Sequence, residues 1–193
     1  MKNLVFKFIV DGPPGSGKTT LLNRIINEPF NPDYLPTIGM EGTFTKKSKI
    51  LGFDLTARFF GSASLAPINY ISLYIGAAAV LLIFDIAKIQ DENILIEYLN
   101  KVKRAGIKSN RIVLIGNKID LCNKVQISNV HSIFTETIKK YSLAKFIVIS
   151  LKLDKDIDVI LEFMNLLAIY NEKLIKESDY QSYLVKLEKK LIH

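Results

Sequence analysis

Residues 12–19 have the sequence Gly-Pro-Pro-Gly-Ser-Gly-Lys-Thr, which is a complete G-x-x-x-x-G-K-[ST] loop. An apolar run at residues 4–10 comes before the loop and is typical of a buried strand, and residues 20–26 follow it with the pattern of an amphipathic helix. Between a strand and a helix, successive backbone N–H groups of such a loop surround a phosphate at the positive end of the helix. The stretch therefore predicts a binding site for a nucleoside phosphate.

The donors of this predicted site lie in the second half of the loop, because Pro13 and Pro14 have no N–H group. Six residues are expected to donate backbone N–H groups to the phosphates: Gly15, Ser16, Gly17, Lys18, Thr19 and Thr20. The Lys18 side chain also supplies positive charge to the β- and γ-phosphates, and the Thr19 hydroxyl can bind Mg²⁺.

A second motif indicates which base is bound. The apolar strand at residues 111–116 is followed directly by Asn117, Lys118, Ile119 and Asp120. A carboxylate at a strand end can accept hydrogen bonds from both N1–H and the 2-amino group of guanine, a pair of donors that adenine lacks. The Lys118 stem can lie against the base, and Asn117 can connect this loop to the phosphate loop. The combination predicts a guanine nucleotide, GTP or GDP.

With these motifs in this order, residues 4–172 resemble the Ras superfamily of small GTPases, and in particular its Rab/Arf-like members. The resemblance implies that Ser150-Leu151-Lys152, after an apolar strand at residues 146–149, form the family's S-A-K guanine loop with Leu in place of Ala. It also implies Mg²⁺ beside the nucleotide, protein partners at the switch regions, and a cytoplasmic location.

The same resemblance places a first switch between the phosphate loop and the second strand. By that resemblance Phe30 stacks edge-on against guanine, Tyr34 covers the phosphates, and Thr37 is a Mg²⁺ ligand when the γ-phosphate is present. Thr19 and Thr37 are thus the two expected metal ligands.

The second switch departs from the family pattern, because the expected D-x-x-G-Q falls on residues 59–63, which read Phe-Phe-Gly-Ser-Ala. Phe59 replaces the acid of the Mg²⁺ shell, Ser62 replaces the glycine whose N–H meets the γ-phosphate, and Ala63 replaces the glutamine that orients water. The motif could instead be displaced to residues 54–58. The alternation of apolar and polar side chains from residue 53 to 59 favours one uninterrupted strand, and thus a motif that is lost.

The expected fold class is α/β: a P-loop, doubly wound, mostly parallel six-stranded sheet with helices on both faces and the nucleotide at the carboxyl ends of the strands. Strands are predicted near residues 3–10, 41–50, 53–60, 77–84, 111–116 and 144–149. Helices are predicted near residues 18–26, 65–74, 91–105, 128–142 and 156–176. Residues 1–176 are expected to form the nucleotide-binding domain and residues 177–193 a helical extension.

Apolar residues recur at helical spacing in the extension, at Tyr180, Leu184, Leu187 and Leu191. Two alternatives are a helix docked on the domain and a connector or partner-binding helix. The last residues contain no cysteine, so we expect no prenyl anchor.

Composition fits one domain with a tail. The chain has 193 residues, is 49% hydrophobic and carries a formal net charge of +7. The single cysteine, Cys122, cannot form an intramolecular disulfide, which fits a reducing cytosol. The basic residues are scattered without interleaved aromatic residues, so we expect no nucleic-acid binding. Weak contact with anionic lipid stays an open alternative.

Three functions fit these observations. The first is a guanine-nucleotide-binding switch or nucleotide-held scaffold with very slow or absent hydrolysis. The second is a competent GTPase that takes its missing groups from a partner. The third is a P-loop ATPase or kinase, since residues 80–85 resemble an acidic metal strand, but Ile86 replaces the second acid that such ATPases need.

Overall fold

The central strands of the sheet are apolar along nearly their whole length. In the computed structural model, which describes residues 3–31, 43–62, 70–153 and 157–190, every residue of the strands Ala77–Asp85 and Ile112–Asn117 is buried. Continuous burial of this kind is typical of parallel strands that are covered by helices on both faces.

The described residues form a six-stranded sheet in the order β2-β3-β1-β4-β5-β6. Its strands are β1 (Asn3–Asp11), β2 (Thr43–Ile50), β3 (Phe53–Gly61), β4 (Ala77–Asp85), β5 (Ile112–Asn117) and β6 (Lys145–Val148). Only the β2–β3 pair is antiparallel. The predicted doubly wound, mostly parallel sheet is therefore confirmed.

Helices cover both faces of the sheet. They are α1 (Lys18–Ile25), α2 (Tyr70–Tyr74), α3 (Asn93–Arg104), α4 (Lys124–Tyr141), α5 (Ile157–Asn171) and α6 (Glu177–Lys190). One core lies between the sheet and helices α1 and α5, and it contains Phe8 and Phe59. The other lies between the sheet and helices α3 and α4, and it contains Phe84 and Phe134.

Three predicted features differ from the structure. Helix α4 begins at Lys124 rather than residue 128, because Asn123 and Gln126 form a reciprocal capping box with both hydrogen bonds at 2.9 Å. Helix α5 ends at residue 171 rather than 176, since Lys173 has a φ of 57°, which a right-handed helix does not allow. The first strand is not buried throughout, because Val5 is half exposed.

The bounds of the other predicted helices and strands agree with the structure within two residues. Of the predicted helix at residues 65–74, only residues 70–74 lie in the described part of the chain.

Helix α6 docks on α5, which is the first of the two alternatives for the extension. Tyr180 stacks on Tyr170 with the ring centroids 4.3 Å apart, and Leu187 is buried. Lys190 on α6 forms an ion pair with Glu162 on α5 at 2.8 Å. Leu191 lies outside the described residues. Among the helices that the structure describes, none has the length and apolar character needed to cross a membrane.

Candidate functional site

The phosphate loop joins the carboxyl end of β1 to the first turn of α1. Gly15 and Gly17 have φ angles of 72° and 109°, a region that side-chain-bearing residues rarely adopt. A side chain at Gly17 would also collide with the Asn117 amide, whereas Gly15 faces open space. The loop therefore has the tight backbone path that the motif predicts.

Lys18 lies across this loop and is almost fully buried. Its Nζ donates to the carbonyl oxygens of Gly12 at 2.9 Å and Pro13 at 3.1 Å. The Ser16 N–H, one of the predicted phosphate donors, donates to the Pro13 carbonyl at 3.2 Å. Thr19 and Thr20 are half buried in the first turn of α1. A buried cation above a glycine-shaped loop at a helix N-terminus fits the binding of phosphate groups.

Asn117 connects three loops at the carboxyl edge of the sheet. Its Nδ2 donates to the Ser16 carbonyl at 2.8 Å. Its Oδ1 accepts from the backbone N–H groups of Lys118 at 2.8 Å and Leu151 at 3.1 Å. One buried amide side chain thus holds the phosphate loop, the loop after β5 and the loop after β6 in fixed relative positions.

The loops after β5 and β6 also meet through side chains. The Ser150 hydroxyl donates to Asp120 Oδ1 at 2.5 Å. Lys118 adopts a φ of 70°, and its Nζ forms an ion pair with Asp85 Oδ2 at 2.8 Å. Asp85 ends β4, and its carboxylate also accepts from the Ala87 N–H at 3.2 Å. Sequence reasoning did not assign Asp85 this role.

The remaining predicted residues are not brought together by the described contacts. Phe30 follows α1 with about a third of its surface exposed, and Lys152 is exposed in the turn after β6. Tyr34 and Thr37 lie outside the described residues.

The residues expected around Mg²⁺ include no carboxylate. Thr19 is the only one of the two expected ligands within the described residues. Phe59 is fully buried and stacks on Phe8 with the ring centroids 5.1 Å apart, so it belongs to the hydrophobic core. No group of three His, Cys, Asp or Glu residues that could hold a metal is found in the described part of the chain.

The displaced version of the second-switch motif would begin at Asp54, which the strand register places far from the phosphate loop. Asp54 pairs with Asn3 at the start of β1, whereas the phosphate loop follows the end of β1. Asp54 also lies 3.7 Å from Lys49 in an ion pair on the β2–β3 hairpin. Its carboxylate is therefore at the opposite edge of the sheet from the candidate site.

Asp11, which sequence reasoning missed, is a buried carboxylate at the end of β1. It is 1% exposed and accepts hydrogen bonds from Ser62, from Tyr74 and, at 2.8 Å, from Lys101. Burial alone would raise the pKa of this carboxyl, but the Lys101 charge and these hydrogen bonds outweigh burial and lower it. The signal in the sequence was an acid at the end of a strand that is apolar apart from Asn3 and Lys7.

The sheet order, the phosphate loop after β1 and the Asn117 loop after β5 define a Ras-like P-loop GTPase fold. The sequence profile of the Ras family matches residues 7–169, and the chain belongs to this family.

Rab proteins are among the curated relatives that match the chain. The chain is 34% identical over 122 residues to Ras-related protein Rab-25 of Homo sapiens, which covers 62% of this chain and 56% of the relative. It is 34% identical over 124 residues to Ras-related protein Rab-18 of Lymnaea stagnalis, covering 61% and 59%. For Ras-related protein Rab-4A of Rattus norvegicus the identity is 32% over 121 residues, covering 62% and 55%. The chain therefore spans a little over half the length of these relatives.

Proposed function

We propose that this chain binds GTP and GDP together with Mg²⁺, and that it hydrolyses GTP very slowly or not at all. It would act as a switch or as a scaffold that the nucleotide holds in shape. Membership of the Ras family supports a guanine nucleotide as the ligand. The observation that carries the proposal is the position of Asn117, whose amide bonds the phosphate loop and both predicted guanine loops at once.

The base is selected by Asp120 in this proposal. Ser150 orients the carboxylate through Oδ1, and the carboxylate accepts the N1–H and 2-amino donors of guanine. A polar group that the bound base covers and leaves without a partner costs about 1–3 kcal/mol, so adenine nucleotides would bind about tenfold to a hundredfold more weakly. The aliphatic stem of Lys118, fixed at its far end by Asp85, lies along one face of the base.

The phosphates are held by Lys18 and by the backbone N–H groups from Gly15 to Thr20 in this proposal. Mg²⁺, when bound, neutralises charge on the β- and γ-phosphates, and Thr19 and Thr37 would supply its protein ligands. Phe59 brings no carboxylate to the metal shell, so we expect the affinity for Mg²⁺ to be about 10–100-fold lower than in relatives with an acid at this position. Nucleotide binding should therefore depend less on Mg²⁺.

Slow hydrolysis follows from the side chains around the second switch. Phe59 is committed to the core, and Ala63 has no polar group with which to orient a water molecule. A partner that supplies those groups would make the chain a competent, assisted GTPase, which is the second candidate.

The ATPase alternative is disfavoured by Asp85. In an ATPase the acid at the end of this strand faces the metal, whereas here Asp85 is ion-paired with Lys118 in the predicted base loop.

We also propose the domain organisation, the partners and the location of the chain. Residues 1–176 form the nucleotide-binding domain and residues 177–193 a helical extension. Protein partners bind at the switch regions or on α6, in a cytoplasmic setting and without nucleic acid. Weak contact with anionic lipid would come from the net positive charge.

Single-turnover hydrolysis tests this function. The purified chain is loaded with γ-labelled GTP, and phosphate release is followed with Lys18→Ala as a control that should retain little nucleotide. We expect GTP to be retained and hydrolysed no faster than about 10⁻⁴–10⁻³ s⁻¹, the range of intact relatives without a helper protein. A clearly faster rate would contradict slow hydrolysis and reveal a catalytic group elsewhere in the chain.

A further inference from the structure

Asp11 lies at the junction of the phosphate loop and three other elements. It is the last residue of β1, and its Oδ1 accepts from the N–H of Gly12, the first residue of the loop, at 2.8 Å. A buried carboxylate is costly unless it is paired and hydrogen-bonded, so the groups that surround it are held firmly in place. We call Asp11, Ser62, Tyr74 and Lys101 the Asp11 cluster.

The partners of Asp11 come from both sides of the segment that follows β3. The Ser62 hydroxyl, just after β3, donates to Oδ1, and the Tyr74 hydroxyl on α2 donates to Oδ2. Lys101 on α3 adds an ion pair with Oδ2 at 2.8 Å, and only about a third of its side chain is exposed. One carboxylate thus connects the end of β3, helix α2 and helix α3 to the end of β1.

The backbone of Ser62 is also engaged. Its N–H donates to the Val10 carbonyl at 2.9 Å and so extends the β1–β3 ladder by one residue. By the resemblance to the family, this is the N–H group that would meet the γ-phosphate. Both the backbone donor and the side chain of Ser62 are therefore already bonded to β1 and its terminal carboxylate.

We propose that the Asp11 cluster holds residues 59–62 and α2 in one position whichever guanine nucleotide is bound, so that the end of β3 is a nucleotide-independent surface. This inference rests on the proposed function. A ligand shifts a conformational equilibrium only by its difference in affinity for the two states. With the Ser62 N–H bonded to Val10, the γ-phosphate lacks the contact through which it would favour a second position. Asp11 is thus a positioning residue, and residues 59–62 and α2 would not change position in response to GTP.

Hydrogen exchange on the full chain tests the cluster. Amide exchange of residues 57–62 and 70–76 is compared between the GDP-bound and the GTP-analogue-bound chain, and again in a Ser62→Ala/Tyr74→Phe variant. Both substitutions remove a hydroxyl that bonds Asp11 and leave the Asp11–Lys101 ion pair and the phosphate loop intact. Tyr98→Phe is the matched control, because it removes a hydroxyl from α3 near Lys101 without removing a hydrogen bond of Asp11.

In the wild type and in Tyr98→Phe, we expect exchange of residues 60–62 to differ less than twofold between the two nucleotides. In the double variant we expect exchange there to be at least about tenfold faster, since the loss of each hydrogen bond to a charged group changes a local equilibrium by about tenfold or more. We also expect the exchange rate of these residues in the double variant to differ between the two nucleotides.

Strong nucleotide-dependent protection of residues 59–62 in the wild type would overturn the proposal, as would equal exchange in the wild type and the double variant. A chain that retains neither nucleotide would contradict the proposed function instead. The comparison of wild type with double variant would still decide the role of the cluster, because the loss of the hydroxyls acts without a ligand.

Discussion

At the scale of single residues, Asp120 and Asp11 are two carboxylates with opposite surroundings. Asp120 is an exposed residue of the loop after β5 and is oriented by the Ser150 hydroxyl. Asp11 is buried and saturated with donors from four residues. In the proposed function the first recognises the base, whereas the second connects elements of the protein to one another.

Substitution of Asp120 by Asn should change the preferred base. An amide presents a donor where the carboxylate presents an acceptor, so Asp120→Asn should weaken GDP binding about tenfold or more and favour xanthosine diphosphate. Competition against a fluorescent guanine nucleotide measures this. Asp91→Asn, which makes the same charge change before α3, should leave the preference unaltered. An unchanged preference in Asp120→Asn would remove Asp120 from the base site.

Substitution of Lys101 by Met should leave the Asp11 carboxylate buried without its counter-charge. Loss of one partner of a buried pair typically costs about 3–5 kcal/mol, because it leaves an unpaired buried charge. We expect Lys101→Met to lower the urea midpoint strongly. Asp11→Asn/Lys101→Met removes both charges but keeps a side-chain acceptor for the Gly12 N–H, so it should recover most of the loss. Equal destabilisation of the two variants would show that the loss does not come from an unpaired Asp11 charge.

The stability that the Asp11 carboxylate contributes should be lost at low pH. The pKa of Asp11 is lower in the folded chain than its ordinary value of 3.8. Its stabilising contribution is therefore fully present above that value and is lost as the pH falls further, through the folded-state pKa. Between pH 5 and pH 3 the free energy of unfolding, measured with urea, should fall more for the wild type than for Asp11→Asn/Lys101→Met, which has no ionisable group at residue 11. A parallel decline in both would contradict this.

At the scale of elements, α6 depends on an aromatic contact that ionisation would disrupt. Burial raises the pKa of Tyr180 to about 12, with the nearby Tyr170, Glu177 and Glu188 acting in the same direction. Tyr180 therefore stabilises the docked helix fully below the unfolded-state pKa near 10, and this contribution is lost as the pH rises toward the folded-state value.

The matching prediction concerns alkaline stability. Between pH 9 and pH 11 the wild type should lose about 1 kcal/mol more free energy of unfolding than Tyr180→Phe, which keeps the ring but cannot ionise. Urea titrations at the two pH values measure the difference. If both chains lose the same free energy, the Tyr180 phenol is not protected from ionisation by docking.

The elements also show how far the sequence alone reached. The six strands and the positions of Lys18, Asn117 and Asp120 were predictable, because each motif follows an apolar run that ends at the same edge of the sheet. The predicted start of α4 was wrong because the Asn123–Gln126 capping box begins the helix at Lys124. The Asp11–Lys101 pair joins residues 90 positions apart, so only the packing of α3 on the sheet brings it into view.

At the scale of the whole molecule, the strand order explains why loops distant in sequence form one site. Strands β1, β4, β5 and β6 are neighbours and parallel, so the loops that follow them lie at a common edge. Among the described residues, Asn117 and the Asp11 cluster are two of the places where these loops are bonded to other parts of the chain. In this account the first fixes the nucleotide site, and the second makes the end of β3 independent of the nucleotide.

Equilibrium competition between GDP and ATP tests the central claim most directly. The chain is saturated with a fluorescent guanine nucleotide in Mg²⁺ buffer and titrated with unlabelled GDP or ATP. The account predicts displacement by GDP at concentrations at least about tenfold lower than by ATP, since ATP presents no matching donors to Asp120. Displacement by GDP and ATP at equal concentrations would contradict the assignment of this chain as a guanine-nucleotide-binding protein.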